Sequence, residues 1–407
     1  MLQTKLKSAG GPGGSSYPTL SIVRPETAAL DRLRRWAEAR DFAGYDPYDA
    51  LNSPVIRTLT GGSKWARVAA TQLMKRCPLN LRPLLFTRPG HNPKALGLFL
   101  EGYVRLHRGG DDDAHTHVDS LLGLLERLRS TYRHGHGWGY NFDWQSRVFF
   151  VPRGTPSGVC SSFIGHALLD AWETLHEQRA LDLAVPIAQF LLRDLHRTPE
   201  GDTFCFSYTP IDTYAVHNAN LLCASLLIRL HDVTGDDAFR DAALTALAYS
   251  MKHQQSDGSW RYSERPGSHW IDSFHTGFNL ESIRRFLELG EAREYQGAYR
   301  AGCEFYARNL FLADGTPKYF HDGLYPIDIH SAAEAIAFFS GEPRYRGLAR
   351  RVLEWTLANM YDGKGGFYFQ KRKRATIRVP YMRWAQAWMF RALTAYNEQV
   401  PGRQSIL

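Results

Sequence analysis

Six mostly apolar helical stretches alternate with six more charged ones along this 407-residue chain, and nothing else in the sequence constrains the fold as tightly. The apolar set is predicted at 94–107, 160–176, 217–232, 276–289, 330–340 and 382–397. The charged set is predicted at 64–76, 114–131, 180–196, 236–254, 292–309 and 344–360. Starts of the apolar set differ by 66, 57, 59, 54 and 52 residues, which is two helices plus their connections. A helix that is apolar all round must be buried on every side, whereas an amphipathic one leaves a face in water. Six of each describe a double ring, an all-α (α/α)6 toroid, in preference to an open α-solenoid with its shorter repeats. The connections entering the apolar helices are long, and Val148-Phe149-Phe150-Val151 and Gly366-Phe367-Tyr368-Phe369 predict short β-hairpins within them. One toroid domain is expected over 26–397, between a disordered Gly/Ser/Pro-rich tail at 1–25 and a C-terminal tail at 398–407.

A ring of this kind brings every inner-helix start to one mouth. Those starts carry polar and aromatic residues: His91-Asn92-Pro93-Lys94, Pro156-Ser157-Gly158, His217-Asn218-Ala219-Asn220, Asp272 to Phe278, Asp328-Ile329-His330-Ser331 and Pro380 to Gln386. Four constellations there have chemical content. The loop Trp138 to Arg147 interleaves Trp138, Tyr140 and Trp144 with Asn141, Asp143 and Arg147, residues suited to stacking on sugars and orienting hydroxyls. His217, His275 and His330 recur at 58 and 55 residues. A helix N-terminus disfavours imidazolium, so each is a candidate neutral base, and three meeting at an axis would also suit zinc. No second-shell pattern supports a metal, and none is expected; no cofactor is expected either. Asp143, Asp272 and Asp328, with Glu264 as a further member, read as the paired carboxylates of glycoside hydrolysis, Asp272 and Asp328 alternatively as helix caps. Finally, Tyr381, Arg383, Trp384 and Gln386 place a candidate proton donor, a cation, a stacking ring and an amide on the last inner helix. Asn218 and Asn220 add substrate-binding amides.

The formal net charge of +8 fits an anionic substrate or a membrane surface, and the short run Lys371-Arg372-Lys373-Arg374 allows peripheral membrane contact. It is too short to argue for nucleic acid. Five cysteines without a paired spacing, and no signal-peptide or membrane-span signal, lead to the expectation of a cytoplasmic protein.

The stretches WGYNFDWQSR, VHNANLL, WIDSFHTGFNLESI, YPIDIHSAAEAI and PYMRWAQAWM resemble an uncharacterised bacterial family found in exopolysaccharide, capsule and lipopolysaccharide clusters. More broadly, the helical ring is similar to six-hairpin glycosidases, polysaccharide lyases, and uronyl and N-acylglucosamine epimerases. The resemblance implies a carbohydrate-active enzyme of surface-polysaccharide biosynthesis, acting on a sugar or a uronic-acid-containing glycan, with neutral, acidic and lipid-linked substrates all open. Proton transfer (epimerisation or lysis) and glycoside hydrolysis both stand as reactions. A non-catalytic glycan-binding scaffold is the first alternative. An isoprenoid-processing toroid, prompted by the single QW-like element Gln254 to Trp260, is the second.

Overall fold

A computed structural model describes residues 24–146 and 150–399. Arg147 and residues 148–149 of the anticipated hairpin lie outside the described residues. Six inner helices form a closed ring: α4 (Pro93–Arg108), α6 (Gly158–Leu175), α8 (His217–Thr234), α10 (Ser273–Glu288), α12 (Ile329–Ser340) and α14 (Trp388–Gln399). Each packs on the next, and α14 returns to α4. Outside them stand α1 (Pro25–Glu38), α5 (Ala114–Leu128), α7 (Gln178–Asp194), α9 (Asp237–Lys252), α11 (Gln296–Asn309) and α13 (Arg346–Asn359). The result is an (α/α)6 toroid. One apolar core runs through both rings, from Leu30 of α1 to Leu393 of α14.

The sixth outer helix is α1, not the predicted 64–76 stretch. Turn glycines at equivalent places show this closure. Gly315 (φ +91°) lies against the Arg351 carbonyl of α13, and Gly365 (φ +113°) lies against the Arg32 carbonyl of α1. A Cβ at either would come within 2.5 to 2.6 Å of that backbone, so the positive φ and the close approach both call for glycine. The 64–76 stretch is helical, as α3 (Lys64–Arg76), but with α2 (Pro54–Thr60) it builds a separate module. Its small core holds Ala50, Leu51, Ile56 and Met74.

Short antiparallel hairpins occupy the long connections. Trp144–Gln145 pairs with Phe150–Val151, and Arg197–Glu200 with Thr203–Phe206. Near the last inner helix the strand is Gln370–Lys371, between Ile327–Asp328 and Thr376–Ile377, and 366–369 leads into it instead of forming it. The last inner helix opens with a π-helical turn, Met382–Ala387, in which the Gln386 N–H bonds to the Tyr381 carbonyl.

Charge is buried on the ring axis. Arg391 of α14 donates from Nε to Glu101 of α4, from Nη2 to Glu281 of α10 and from Nη1 to Glu334 of α12. Burial pushes Glu281 up, but Arg391, Arg285 and Arg284 outweigh it and hold the carboxyl well below its usual range. Glu101 is lowered in the same way, by Arg105 and Arg391 against burial. Glu334 goes the other way: burial and the Glu281 carboxylate raise it to about 8. The signs give a pH prediction. The contribution of Glu101 and Glu281 is complete above the unfolded value of about 4.3 and is lost as pH falls below it. That of Glu334 is complete below its unfolded value and is lost as pH rises through about 8. The cluster's own contribution to thermal stability should therefore be largest on the acid side of neutrality, and Glu281→Gln should flatten the acid limb of that contribution relative to the parent. A pH series of melting curves reads both.

Candidate functional site

Register is fixed by the residues that start the inner helices. The positions preceding the six helical starts are Asn92, Ser157, Val216, Asp272, Asp328 and Tyr381. Four of them cap in the usual way, their side-chain oxygens accepting a backbone N–H of the first turn. Two residues beyond each of these preceding positions lie Lys94, Val159, Asn218, Phe274, His330 and Arg383. All six line one cavity of about 170 Å³ at the mouth of the ring. The long connections supply the walls: Tyr48, Tyr140, Phe142, Trp144, Tyr208, Tyr262 and Tyr319, with Trp384 and Phe278 from the inner helices. Six helix N-termini thus converge on an aromatic-walled cavity, and their partial positive charges favour an anion or a developing oxyanion.

His275 also lines the cavity. Its Nδ1 lies 2.6 Å from Oδ2 of Asp272, whose Oδ1 caps α10 by accepting the His275 N–H at 3.0 Å. Asp272 therefore caps the helix and orients the imidazole. Nδ1 donates to the carboxylate, and among the described residues Nε2 has no hydrogen-bond partner. The Tyr262 ring lies 4.8 Å from the imidazole.

His330 is 2% exposed, and neither ring nitrogen has a partner among the described residues. Its ring stacks on Phe274 at 4.6 Å and lies 4.2 Å from Trp388. Burial, then Lys94 and Arg383, drive its pKa well below the usual imidazole value, so it is neutral. A neutral imidazole offers one N–H and one lone pair. Asn218 adds a buried Oδ1 that lacks a donor among the described residues.

Lys94 is 3% exposed, with Nζ 4.0 Å from the Phe163 ring centre and 5.1 Å from that of Trp388. Among the described residues it forms no ion pair. Burial pushes its pKa down to about 7, with Cys160 opposing and Arg383 adding to the fall. Arg383, by contrast, is neutralised. Its Nε and Nη2 bind Asp46 at 2.6 and 2.9 Å, and the guanidinium lies over the Tyr140 ring at 4.8 Å. It is a fixed part of the floor, so among the described residues Lys94 is the cavity cation left for a ligand. Tyr140 and Tyr208 join their hydroxyls at 3.0 Å on the wall. Trp384 is locked by its Nε1 bond to Oδ1 of Asp328.

Several candidates from the sequence sit elsewhere. Trp138 is wholly buried, with Nε1 bonded to the Leu125 carbonyl, so it is core and not a stacking platform. Asn141 bonds Asn92, and Asp143 accepts the Arg153 N–H; both face a separate surface groove. His217 turns away to Ser250 at 3.2 Å and Glu264 at 3.3 Å. Its lead over Asn218 is one residue, and one residue is about 100° of helix, so Asn218 takes the cavity position. Asn220 pins the Phe206 N–H and the Ala246 carbonyl, and Gln386 pins both backbone groups of Phe367. Asp328 is fully buried in bonds to the His330 N–H, Gln370 and Trp384. The Tyr381 hydroxyl accepts from Arg82 and is absent from the cavity, which removes it as a proton donor there. The three histidines do not converge, and among the described residues no group of three His, Cys, Asp or Glu side chains is placed to hold a metal. The QW-like element ties helices together: Gln254 bonds the Ala298 carbonyl, and Trp260 the Ser250 carbonyl.

No protein-family model and no curated protein matches the sequence. The polysaccharide-cluster resemblance therefore rests on its motifs alone. Solved structures do match in fold. A cellobiose 2-epimerase from Bacillus thermoamylovorans superposes with a TM-score of 0.60 at 13% identity, over 76% of this chain and 88% of its own. An unsaturated glucuronyl hydrolase specific for heparin gives 0.60 at 14%, over 92% and 96%. A family 76 α-mannanase from Bacteroides thetaiotaomicron gives 0.58 at 13%, over 75% and 86%. At these identities the likeness is one of fold: the chain has the (α/α)6 frame that all three share.

Proposed function

We propose that this protein is a sugar-acting enzyme that moves a proton at a carbon beside a carbonyl group, the step common to epimerisation and to β-elimination. One observation carries the reading. The cavity presents His275, His330, Lys94 and Arg383 and no carboxylate side chain. None of the residues outside the described set is Asp or Glu, so none of them adds one. Hydrolysis by two carboxylates needs a pair flanking the scissile bond. Here Asp143 faces another groove, Asp328 is spent on three hydrogen bonds, and Asp272 serves His275. Fold neighbours named as an epimerase and as hydrolases support a sugar substrate without choosing between the reactions.

In this reading Nε2 of His275 takes the proton, and Asp272 stabilises the imidazolium that forms. Negative charge growing on the carbonyl oxygen meets the Lys94 ammonium and the helix N-termini. His330 and Asn218 bind hydroxyls, and the aromatic walls take the apolar faces of the sugar ring. The substrate is a reducing sugar or a uronate, and the motif resemblance puts it in surface-polysaccharide assembly.

The test is proton NMR of reducing disaccharides and uronate oligosaccharides incubated with the protein in heavy water. Loss of the signal of the hydrogen beside the carbonyl is expected. Release of free monosaccharide without exchange would overturn the reading in favour of hydrolysis, and binding without either would favour a glycan-binding scaffold. A pH dependence follows. Lys94 loses its charge above about 7, so kcat/KM should fall on that side. Lys94→Arg should move that fall to higher pH, and Lys94→Met should lower the rate below about pH 7 and abolish that fall.

A further inference from the structure

The module formed by α2, α3 and the segment up to Gly90 is built with its apolar side outward. Of the ten large hydrophobic side chains exposed among the described residues, six lie here: Leu59, Trp65, Leu73, Leu79, Leu84 and Phe86, each between 65% and 80% exposed. On α3, Trp65, Ala69 and Leu73 follow one another at four-residue steps, so they share a face, and that face is exposed while Thr71 and Met74 are buried. A scatter of single exposed leucines is ordinary; this concentration in one short segment is not.

Charge in the same segment is one-sided. Residues 54–90 contain seven Lys and Arg and no Asp or Glu, against +8 for the whole chain. Arg82 and Lys75 turn inward, to Asp49 and to the Tyr48 hydroxyl. Arg57, Lys64, Arg67, Arg76 and Arg88 remain for the surface, and Asp143 is the one carboxylate lining the grooves beside Arg57 among the described residues.

We infer that this module docks on an anionic lipid surface, its exposed aromatic and aliphatic side chains entering the headgroup boundary and its basic residues pairing with lipid phosphates. The charge complementarity selects the occupant. A second copy of the chain would bring like charge against like charge. No helix among the described residues is long and apolar enough to cross a membrane, so the contact is peripheral. The module adjoins the mouth: α3 packs on the Trp144–Gln145 strand, and Lys75 lies over the rings of Tyr48 and Trp384. Docking therefore holds the cavity near the bilayer, where a lipid-linked glycan would be presented.

Flotation of the full chain with vesicles tests this. One set is phosphatidylcholine alone, and the other mixes in phosphatidylglycerol. Recovery with the mixed vesicles only is expected, weakening as salt is raised. The combined Trp65→Ser, Leu73→Ser and Leu84→Ser variant should lose recovery roughly tenfold or more. Lys64→Glu with Arg76→Glu should do the same without touching the apolar face. Exchange on soluble sugars should match the parent in both variants, so failure here leaves the proposed reaction standing, and the converse holds. Recovery with neither vesicle, equal recovery of variants and parent, or capture of an acidic protein in place of the mixed vesicles overturns the inference.

Discussion

His275→Ala should lower the rate of proton exchange on the sugar by about a thousandfold, the scale on which a positioned general base acts. The loss should fall on kcat, because Nε2 meets the moving proton and the aromatic walls that hold the ring are untouched. Asp272→Asn separates orientation from chemistry. Asparagine caps a helix nearly as well as aspartate, so α10 should keep its start, but the amide no longer stabilises an imidazolium. Exchange should drop less than for His275→Ala, with melting temperature nearly unchanged. Added imidazole should restore part of the His275→Ala rate. Exchange by His275→Ala at the parent rate would place the base elsewhere, and His330 would then be the next residue to replace.

The inner ring was legible because its helices are apolar on all sides and their starts recur at a steady interval. Its closure was not. The 64–76 stretch has a helical period and the right place in the series, but its apolar face points to water, and no periodicity tells an outward stripe from an inward one. The true partner, α1, lies beyond an inserted module. At the site, Asn218, His275, His330, Arg383 and Trp384 were visible near helix starts and Tyr140 and Trp144 in the loop from Trp138 to Arg147, and all line the cavity. Lys94 stood in the first of those starts without a role of its own, since only the closed ring buries it. Tyr208, Tyr262 and Tyr319 were missed although they recur at 54 and 57 residues, the interval of the repeat itself. His217 and Asp328 show the reverse. Both repeat on schedule, yet a turn of about 100° per residue sends the first away, and hydrogen bonding consumes the second.

Arg391→Ala should destabilise the fold by about 3–5 kcal/mol, the cost of leaving buried charge without its partner. The residue is 1% exposed and bonds three carboxyls from three other inner helices. Glu101, Glu281, Glu334 and Arg391 come four to eight residues after the ring of cavity-lining positions, which puts them about 6–12 Å deeper along the axis. The charge cluster is thus the foundation under the site, and its loss should loosen the cavity floor as well as the fold. Urea unfolding measures the first effect, and the affinity for a bound sugar the second. Replacing the whole cluster makes the argument sharper. Arg105 and Arg285 also pair with Glu101 and Glu281, so Arg391→Met combined with Glu101→Gln, Glu281→Gln, Arg105→Gln and Arg285→Gln removes the charges together, and Glu334, raised to about 8, is already mostly neutral. Much of the lost stability should return, since a fully removed ion cluster costs far less than a broken one. If Arg391→Ala stays within about 1 kcal/mol of the parent, water must reach the axis and screen the carboxyls, and the cluster's contribution to the pH dependence of stability should vanish with it.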